Sequence, residues 1–537
     1  MAWFHSTIRL RCFAGIAIAA LSGGLARAQG IAPATENATD QVAQNQAQDT
    51  KDTADLLNSL NQLVEQNKQL EKQNRELMNQ IEALRKRLSA QKSGSASGVV
   101  KGAPQAPASP AGVEREAVAS SGTNGAQPKE SDDRISLPQA SPGNPAIFGE
   151  FNPGRGFTVA RGEYGELNLS GYMVARYLNQ LPGTQTATDH LGRPVPVAPR
   201  EDFQFHRVML FSQGWLFDPR FLYSTFLWTV QDTNQVAVGG ALYYKFGSFM
   251  NLGMGWNAYP GTMSLQGSHP YWLSYDRVMA DEFFRPYFSQ GIFAQGDILP
   301  RLEYRWMIGN NNSNLDVPAT KLDRKLSGGV AITWLPTTGE FGPRGAFGDF
   351  EGHDELATRF NLAYTYSPED RQSPLGTAAG NTTLRLSDSL NVFDPGAFVN
   401  GVTVEKVRYQ LISAAVGIKY HGLFLQGEGY GRTLDSFVAN AVLPVSVVRD
   451  YGFYLQAGYM VVPRKFEAYG ATSFVFGQYG DAHEFIIGGN YYPWNSRNAR
   501  LNVQVIDVDK SPVSSTFGFY VGQLTGPIIS VGVTGFY

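Results

Sequence analysis

The stretch TRFNLAYTY (358–366) alternates between large apolar or aromatic residues and polar or small ones. Phe360, Leu362, Tyr364 and Tyr366 occupy one parity, and Arg359, Asn361 and Thr365 occupy the other. Successive side chains of a strand point to opposite faces, so this pattern predicts a β-strand with one apolar and one polar face.

The same period of two recurs between residues 146 and 537. Further examples are GELNLSGYMVARY (165–177), YGFYLQAGY (451–459), ARLNVQV (499–505) and ISVGVTGFY (529–537). Composition agrees, because aromatic residues make up 12% of the chain, 58 residues are glycine and only 17% are charged. These features favour strands and tight turns over helices, and they predict an all-β, antiparallel fold.

Periodicity alone does not say which face of these strands is dry. A soluble sandwich buries its apolar face, whereas a membrane barrel turns that face to lipid. Aromatic clusters at strand ends, as in WNAY (256–259) and YYPW (491–494), and long polar segments such as 181–202 favour the barrel. At roughly 24 residues for each strand with its share of turn and loop, the region predicts a transmembrane β-barrel of about 16 strands.

The residues before the barrel predict a signal peptide and a coiled coil. Residues 1–28 combine Arg9 and Arg11, a short apolar core and a small-x-small cleavage site, which is typical of a secretory signal, although a buried N-terminal helix is the alternative. Residues 29–51 are expected to be flexible, and the composition of 91–145 predicts a disordered linker.

Between them, residues 52–90 carry a heptad repeat. One seam position holds Leu56, Leu63, Leu70, Leu77 and Leu84, and the other includes Asn67 and Asn74. This spacing predicts a coiled coil in which the two asparagines set the register and the oligomeric state, and a single amphipathic helix is the alternative.

Several stretches of the barrel region resemble the phosphate-selective porin O and P family. They are GFTVARGEYGELNLSGYMVARY (156–177), DRVMADEFFRPYFSQGIFAQGD (276–297), LFLQGEGYGR (423–432) and GFYLQAGYMVVPRKFEAYG (452–470). The resemblance covers 146–537. It implies a 16-stranded outer-membrane porin, normally trimeric, that passes small anions such as phosphate. Asparagine in the coiled-coil seam favours a dimer instead, and we retain the homotrimer as the prediction.

Charge gives no independent support for an anion pathway. Residues 146–537 contain 29 Lys and Arg against 33 Asp and Glu, a net charge of −4. Selectivity depends on the residues that line a constriction. The predicted pore-lining residues are Arg176, Arg277, Arg285, Arg301, Glu303, Arg305, Lys321, Arg324 and Lys325. The alternative is that these arginines pair with carboxylates and brace the barrel wall.

The remaining expectations concern location, partners and chemistry. We predict an outer-membrane protein, surrounded by membrane lipid, with its coiled coil in the periplasm. Phe536 and Tyr537 are predicted to form the signal read by the outer-membrane assembly machinery. No cofactor, metal, catalytic residue or nucleic-acid partner is expected, and a hydrolase is a minor alternative. A second alternative is an anchor whose coiled coil tethers the membrane to the cell wall.

Overall fold

The computed structural model describes residue 72 and residues 156–230, 235–266, 271–312, 325–342, 346–371, 384–514 and 518–537. The signal peptide, the segment 29–51, the linker, the coiled-coil residues Asn67 and Asn74, and the pore candidates Lys321 and Arg324 lie outside these residues, so the corresponding predictions stay predictions. The strands all lie in the compact unit Ala126–Tyr537.

The described residues form strands of 4 to 17 residues. They are β1 (Phe157–Gly162), β2 (Gly165–Gln180), β3 (Gln185–Thr188), β4 (Pro194–Val197), β5 (Glu201–Leu216), β6 (Asp218–Val230), β7 (Gln235–Lys245), β8 (Asn251–Ala258), β9 (Phe288–Leu299), β10 (Leu302–Gly309), β11 (Ser327–Trp334), β12 (Ala357–Asp370), β13 (Val404–Tyr420), β14 (Leu423–Ala439), β15 (Val447–Val462), β16 (Phe466–Gly477), β17 (Gly480–Tyr491), β18 (Ala499–Asp509) and β19 (Gly526–Phe536). A short helix, α1, covers Met279–Phe284.

Sixteen of these strands close into one antiparallel barrel. Each strand from β5 to β19 pairs with its neighbour in sequence, β2 pairs with β5, and β19 pairs with β2. In the closing pair, Phe536 lies opposite Tyr172 and Ile528 lies opposite Gln180. The predicted barrel of about 16 strands is confirmed. The hairpin of β3 and β4 forms a separate two-stranded sheet.

The barrel is inside out relative to a soluble protein. In β12 the side chains of Phe360 and Leu362 are 42% and 54% exposed, whereas Asn361 and Thr365 are 5% and 0% exposed. The same alternation runs through β15 and β18, with apolar residues outward and polar residues inward. A polar lumen within an apolar wall is the arrangement of a membrane-spanning barrel. The described helices include none that is long and apolar enough to cross a membrane.

The two ends of the barrel differ in their connections. At the end where β2 begins, β9 joins β10 through two residues and β13 joins β14 through two. At the opposite end, connections such as 181–200 and 259–287 are long. We call these the short-turn end and the long-loop end. One exception is the 22-residue connection 335–356, which lies at the short-turn end.

The seam between β19 and β2 is extended by β1. The backbone N–H of Tyr537 donates to the Gly171 carbonyl (3.0 Å), and the Gly171 N–H donates to the Tyr537 carbonyl (3.1 Å). Beyond this point β1 pairs with the first residues of β2, and the ring of Phe157 stacks on Tyr537 with centroids 5.9 Å apart. Phe536 points inward and packs 5.7 Å from Tyr172. Their predicted role as an assembly signal stays a prediction.

Leu362 offers a test of which face of the wall meets lipid. A charged side chain on the lipid face of a barrel costs about 2–4 kcal/mol near the bilayer midplane. We expect Leu362→Arg to lower the free energy of unfolding in liposomes by about that amount. Val442, 91% exposed in the connection between β14 and β15, is the control site, and Val442→Arg should change stability by less than about 0.5 kcal/mol. Equal losses in both variants would contradict the assignment.

Candidate functional site

The connection between β8 and β9 folds into the barrel. We call its described residues, within 259–287, the luminal loop; it contains a 3-10 turn at Met263–Leu265 and the helix α1. Nearly all of its residues are buried. A buried irregular segment requires hydrogen-bond partners for its backbone, and here the polar inner face of the barrel supplies them.

Two glutamates on the wall hold the luminal loop by its backbone. Glu428 of β14 accepts a hydrogen bond from the Met263 N–H (3.0 Å), and Glu484 of β17 accepts one from the Met279 N–H (2.5 Å). The Glu484 carboxylate also accepts hydrogen bonds from the hydroxyls of Ser473 (2.7 Å) and Tyr520. These carboxylates therefore serve as buried acceptors, with several donors converging on each.

Further contacts tie the loop to β13, β17 and β18, and others reach β5, β10 and β12. Side chains of β13, β17 and β18 donate hydrogen bonds to backbone carbonyl oxygens of the loop: Ser413 to Gly261 (2.8 Å), Tyr409 to Phe284 (2.7 Å), Asn490 to Leu273 (2.9 Å) and Arg500 to Trp272 (2.5 Å). In the opposite direction, the loop hydroxyl of Ser274 donates to the side-chain oxygen of Gln504 in β18 (2.7 Å). The wall formed by β13 to β18 is consequently packed, and its inward side chains Gln426 and Asn502 are 3% and 1% exposed.

The long connection 335–356 enters from the short-turn end and packs on the same side of the lumen. The Phe347 N–H donates to the Tyr271 carbonyl of the luminal loop (2.9 Å). The Phe347 ring stacks on the ring of Phe424 in β14, with centroids 5.8 Å apart. Arg497 forms an ion pair with Glu351 (2.9 Å). The two inward-folded segments meet, so packing continues along this side of the lumen.

The opposite side of the lumen keeps half-exposed polar side chains. Strand register places Lys245 of β7, Asn251 of β8, Gln295 of β9 and Arg305 of β10 in one row across four adjacent strands, in which only Asn251 is buried. In the next row Asp297 lies opposite Glu303. The side chains of Arg305 and Glu303 are 24% and 19% exposed and form an ion pair at 3.9 Å. We call Lys245, Gln295, Asp297, Glu303 and Arg305 the polar strip.

The predicted pore residues fall in different places. Arg305 and Glu303 share the lumen face as predicted, and Arg305 also donates to the Gln266 carbonyl of the luminal loop. Arg277 and Arg285 lie in the luminal loop itself. Arg176 lies on the β2 wall, where it donates to Gln204 (2.7 Å) and to the Gly518 carbonyl (2.9 Å). Among the described residues, these predicted pore cations therefore lie on three different elements, β2, the luminal loop and β10.

The prediction that Arg301 shares the lumen face with Glu303 is wrong. β9 ends at Leu299 and β10 begins at Leu302, so Arg301 lies in the turn between them with a left-handed φ of 69°. Its side chain donates to the Pro336 carbonyl (2.8 Å) at the short-turn end. Lys325 is exposed just before β11, at the other end.

Several arginines are paired, as the bracing alternative anticipates. Arg277 lies 3.6 Å from Asp281, and Arg285 lies 2.8 Å from Glu282. The Arg277 guanidinium also stacks 4.2 Å from the Trp272 ring. These groups hold the luminal loop in its fold. Whether any of them also contacts a permeating ion stays a prediction.

Lys245, Gln295 and Asp297 of the polar strip were not among the residues predicted from the sequence. They occupy the inward parity of β7 and β9, and in GIFAQGDIL (291–299) Gln295 and Asp297 alternate with outward Ile298. Their alignment with Arg305 depends on the register of three successive strand pairs, from β7 to β10, and Lys245 is 60 residues from Arg305 in sequence. Among the described residues, no group of three or more His, Cys, Asp or Glu side chains is arranged to hold a metal ion.

Comparisons with known proteins add a fold-level likeness. No family model matches the chain, and no curated protein matches it. Among solved structures it is similar to OmpT of Vibrio cholerae, with 10% sequence identity and a TM-score of 0.44 over 70% of this chain and 99% of that one. It is also similar to an anion-selective porin from Comamonas acidovorans, with 11% identity and a TM-score of 0.40 over 70% of this chain and 100% of that one. A third similar structure is the outer-membrane channel DcaP of Acinetobacter baumannii, with 10% identity and a TM-score of 0.44 over 71% of this chain and 100% of that one.

Glu484 tests how the luminal loop is held. Glu484→Ala removes the acceptor of the Met279 N–H and of two buried hydroxyls, and each stranded group costs about 1–3 kcal/mol. We expect amide exchange in residues 271–287 to accelerate by at least about tenfold in the purified barrel. Glu484→Gln keeps one acceptor oxygen and should stay near wild type. Unchanged exchange in the alanine variant would show that the loop does not depend on this carboxylate.

His353 predicts a pH dependence at the short-turn end. Burial alone would lower its pKa, but hydrogen bonds with Asp349 and Glu340 (2.9 Å) raise the pKa to about 9 from an ordinary 6.5. Since the folded pKa is the higher one, this stabilisation is complete below about pH 6.5 and is lost as pH rises through 9.

We therefore expect residues 346–356 to show faster amide exchange at pH 9.5 than at pH 6, beyond the intrinsic pH effect on exchange. His353→Gln should abolish this additional acceleration. A variant that keeps the full wild-type pH profile would show that another group is responsible.

Proposed function

We propose that this protein is an outer-membrane porin through which small hydrophilic solutes diffuse passively. The observation that supports this most directly is the asymmetry of the lumen: packing on the β13–β18 side leaves a half-exposed polar strip on β7–β10. A closed barrel with an apolar exterior and a polar interior gives water a route across lipid. The path proposed here is off-centre, between the luminal loop and the polar strip.

The strip carries balanced charge. Lys245 and Arg305 oppose Asp297 and Glu303, so two cations face two carboxylates. A wall of this kind favours hydrated solutes of either sign and gives weak ion selectivity. The preference for anions, phosphate included, stays a prediction that rests on the family resemblance. The homotrimer and the enzyme-free mechanism are likewise proposals.

The position of β1 supports a periplasmic N-terminal region. Porin-type barrels carry short turns on the periplasmic side and long loops on the outside. Strand β1, which directly follows Gly156, pairs with the first residues of β2 at the short-turn end. In this orientation the predicted coiled coil belongs in the periplasm. Tethering to the cell wall is the second candidate function, and it is compatible with conduction.

The polar strip gives a paired test of the proposed path. One unit charge at about 4 Å from a hydrated ion contributes about 1 kcal/mol in water, or about fivefold in a permeability ratio. In planar bilayers under a KCl gradient, we expect Arg305→Gln to shift the reversal potential toward cation preference and Glu303→Gln to shift it toward anion preference.

Two results would contradict the proposal. A wild-type protein that inserts but conducts no current would exclude a porin. Conduction that neither substitution alters would place the path elsewhere in the lumen. Arg301→Gln, at the exposed turn outside the strip, is the matched control and should leave the reversal potential unchanged.

A further inference from the structure

Four connections at the long-loop end enclose a polar pocket of about 550 Å³. They are the β3–β4 hairpin, the connection 384–403, the turn between β16 and β17, and the connection between β18 and β19. We call it the mouth pocket. Its walls come from segments more than 300 residues apart in sequence, so it exists only in the folded barrel.

Hydrogen bonds between these connections fix the walls. The Gln185 Nε2 donates to the Thr525 carbonyl (2.6 Å), and the Thr525 N–H donates back to the Gln185 Oε1 (3.2 Å). The Lys510 N–H donates to the Thr525 hydroxyl (3.0 Å), and the Tyr479 N–H donates to the Ser387 hydroxyl (3.0 Å). A pocket whose walls are already held in place loses little entropy when it binds a ligand.

Tyr479 gives the pocket an aromatic wall. Its ring is half-buried, with the His190 ring 4.1 Å away and the Phe398 ring packed edge-on at 6.1 Å. Burial, together with Asp388 and Asp450, raises the pKa of Tyr479 to about 12, so its hydroxyl remains protonated at neutral pH. The side chain therefore offers both an apolar face and a hydrogen-bond donor.

The charges around the pocket do not favour an ion. Asp388 accepts a hydrogen bond from the His190 N–H (3.1 Å) and lies 2.6 Å from the His190 Nδ1, so its carboxylate is already engaged. Asp481 and Lys510 are both exposed and have opposite charges. Most other lining groups are hydroxyls or amides, including those of Thr188 and Gln523.

We propose that the mouth pocket binds a small, uncharged, polyhydroxylated solute of the sugar class. Hydroxyl and amide side chains can both donate and accept, which suits a ligand that carries a hydroxyl on most of its carbons. The Tyr479 side chain supplies an apolar surface for the C–H face of such a ring. This inference goes beyond passive diffusion, because it assigns a saturable site to the outer entrance of the lumen.

Calorimetric titration of the purified full-length protein in detergent tests the site. The probes are glucose, maltose, glycine and inorganic phosphate. We expect saturable binding of at least one of the two sugars. Thr188→Trp fills the pocket from an exposed position and should weaken that binding by about tenfold or more. Val442→Trp, at an exposed site outside the pocket, is the matched control and should bind like wild type.

The charged rim separates a sugar from an ionic ligand. The double variant Asp481→Asn, Lys510→Gln should keep the dissociation constant for the sugar within about threefold. Absence of saturable binding by both sugars would overturn the inference. So would saturable binding of glycine or phosphate that the double variant abolishes. Currents recorded from the same preparations keep the two proposals apart, since a conducting protein without sugar binding refutes only the mouth pocket.

Discussion

Pairing of β19 with β2 is the interaction on which the rest of the structure depends. Lipid offers no hydrogen-bond partner for the edge of a sheet, so a spanning sheet must close on itself. Here the pairing of β19 with β2 extends from Phe536 opposite Tyr172 to Ile528 opposite Gln180. Strand β1 continues along the same edge of β2. Closure removes both edges at once. It also forces all the polar faces of the strands to meet in one enclosed space.

That enclosed space decides the role of the charged residues. Many of them are structural ties, because inward-folded segments need buried partners. Glu428 and Glu484 accept loop N–H groups, and Arg432 forms an ion pair with Asp450 at 2.6 Å with both side chains essentially inaccessible. A buried arginine of this kind cannot act as a docking point for an ion in transit. Counting cations therefore says little about selectivity, whereas exposure to the open side of the lumen says more.

The asymmetry of the lumen connects fold to function. The luminal loop and the connection 335–356 enter from opposite ends and meet where the Phe347 N–H donates a hydrogen bond to the Tyr271 carbonyl. Both lie against the β13–β18 wall, and the side chains facing them are almost fully buried. The path proposed for water therefore follows the β7–β10 side, where the polar strip lies. At the long-loop end, four connections build the mouth pocket.

The sequence alone determined the fold class and the inward or outward direction of most strand residues. Period two is a local property, so TRFNLAYTY was sufficient to place Phe360 and Leu362 on one face and Asn361 on the other. The aromatic clusters and long polar segments then favoured a barrel, in which the apolar face points outward. The same rule failed at Arg301, because alternation in LPRLEYR continues unbroken across a two-residue turn that only strand pairing locates. The tertiary structure decided which polar residues meet water. That depends on register among strands far apart in sequence, as in the row from Lys245 to Arg305, and on which wall the luminal loop covers. Neither is encoded in the periodicity of a single strand, since hydrogen bonds and packing between distant segments select them.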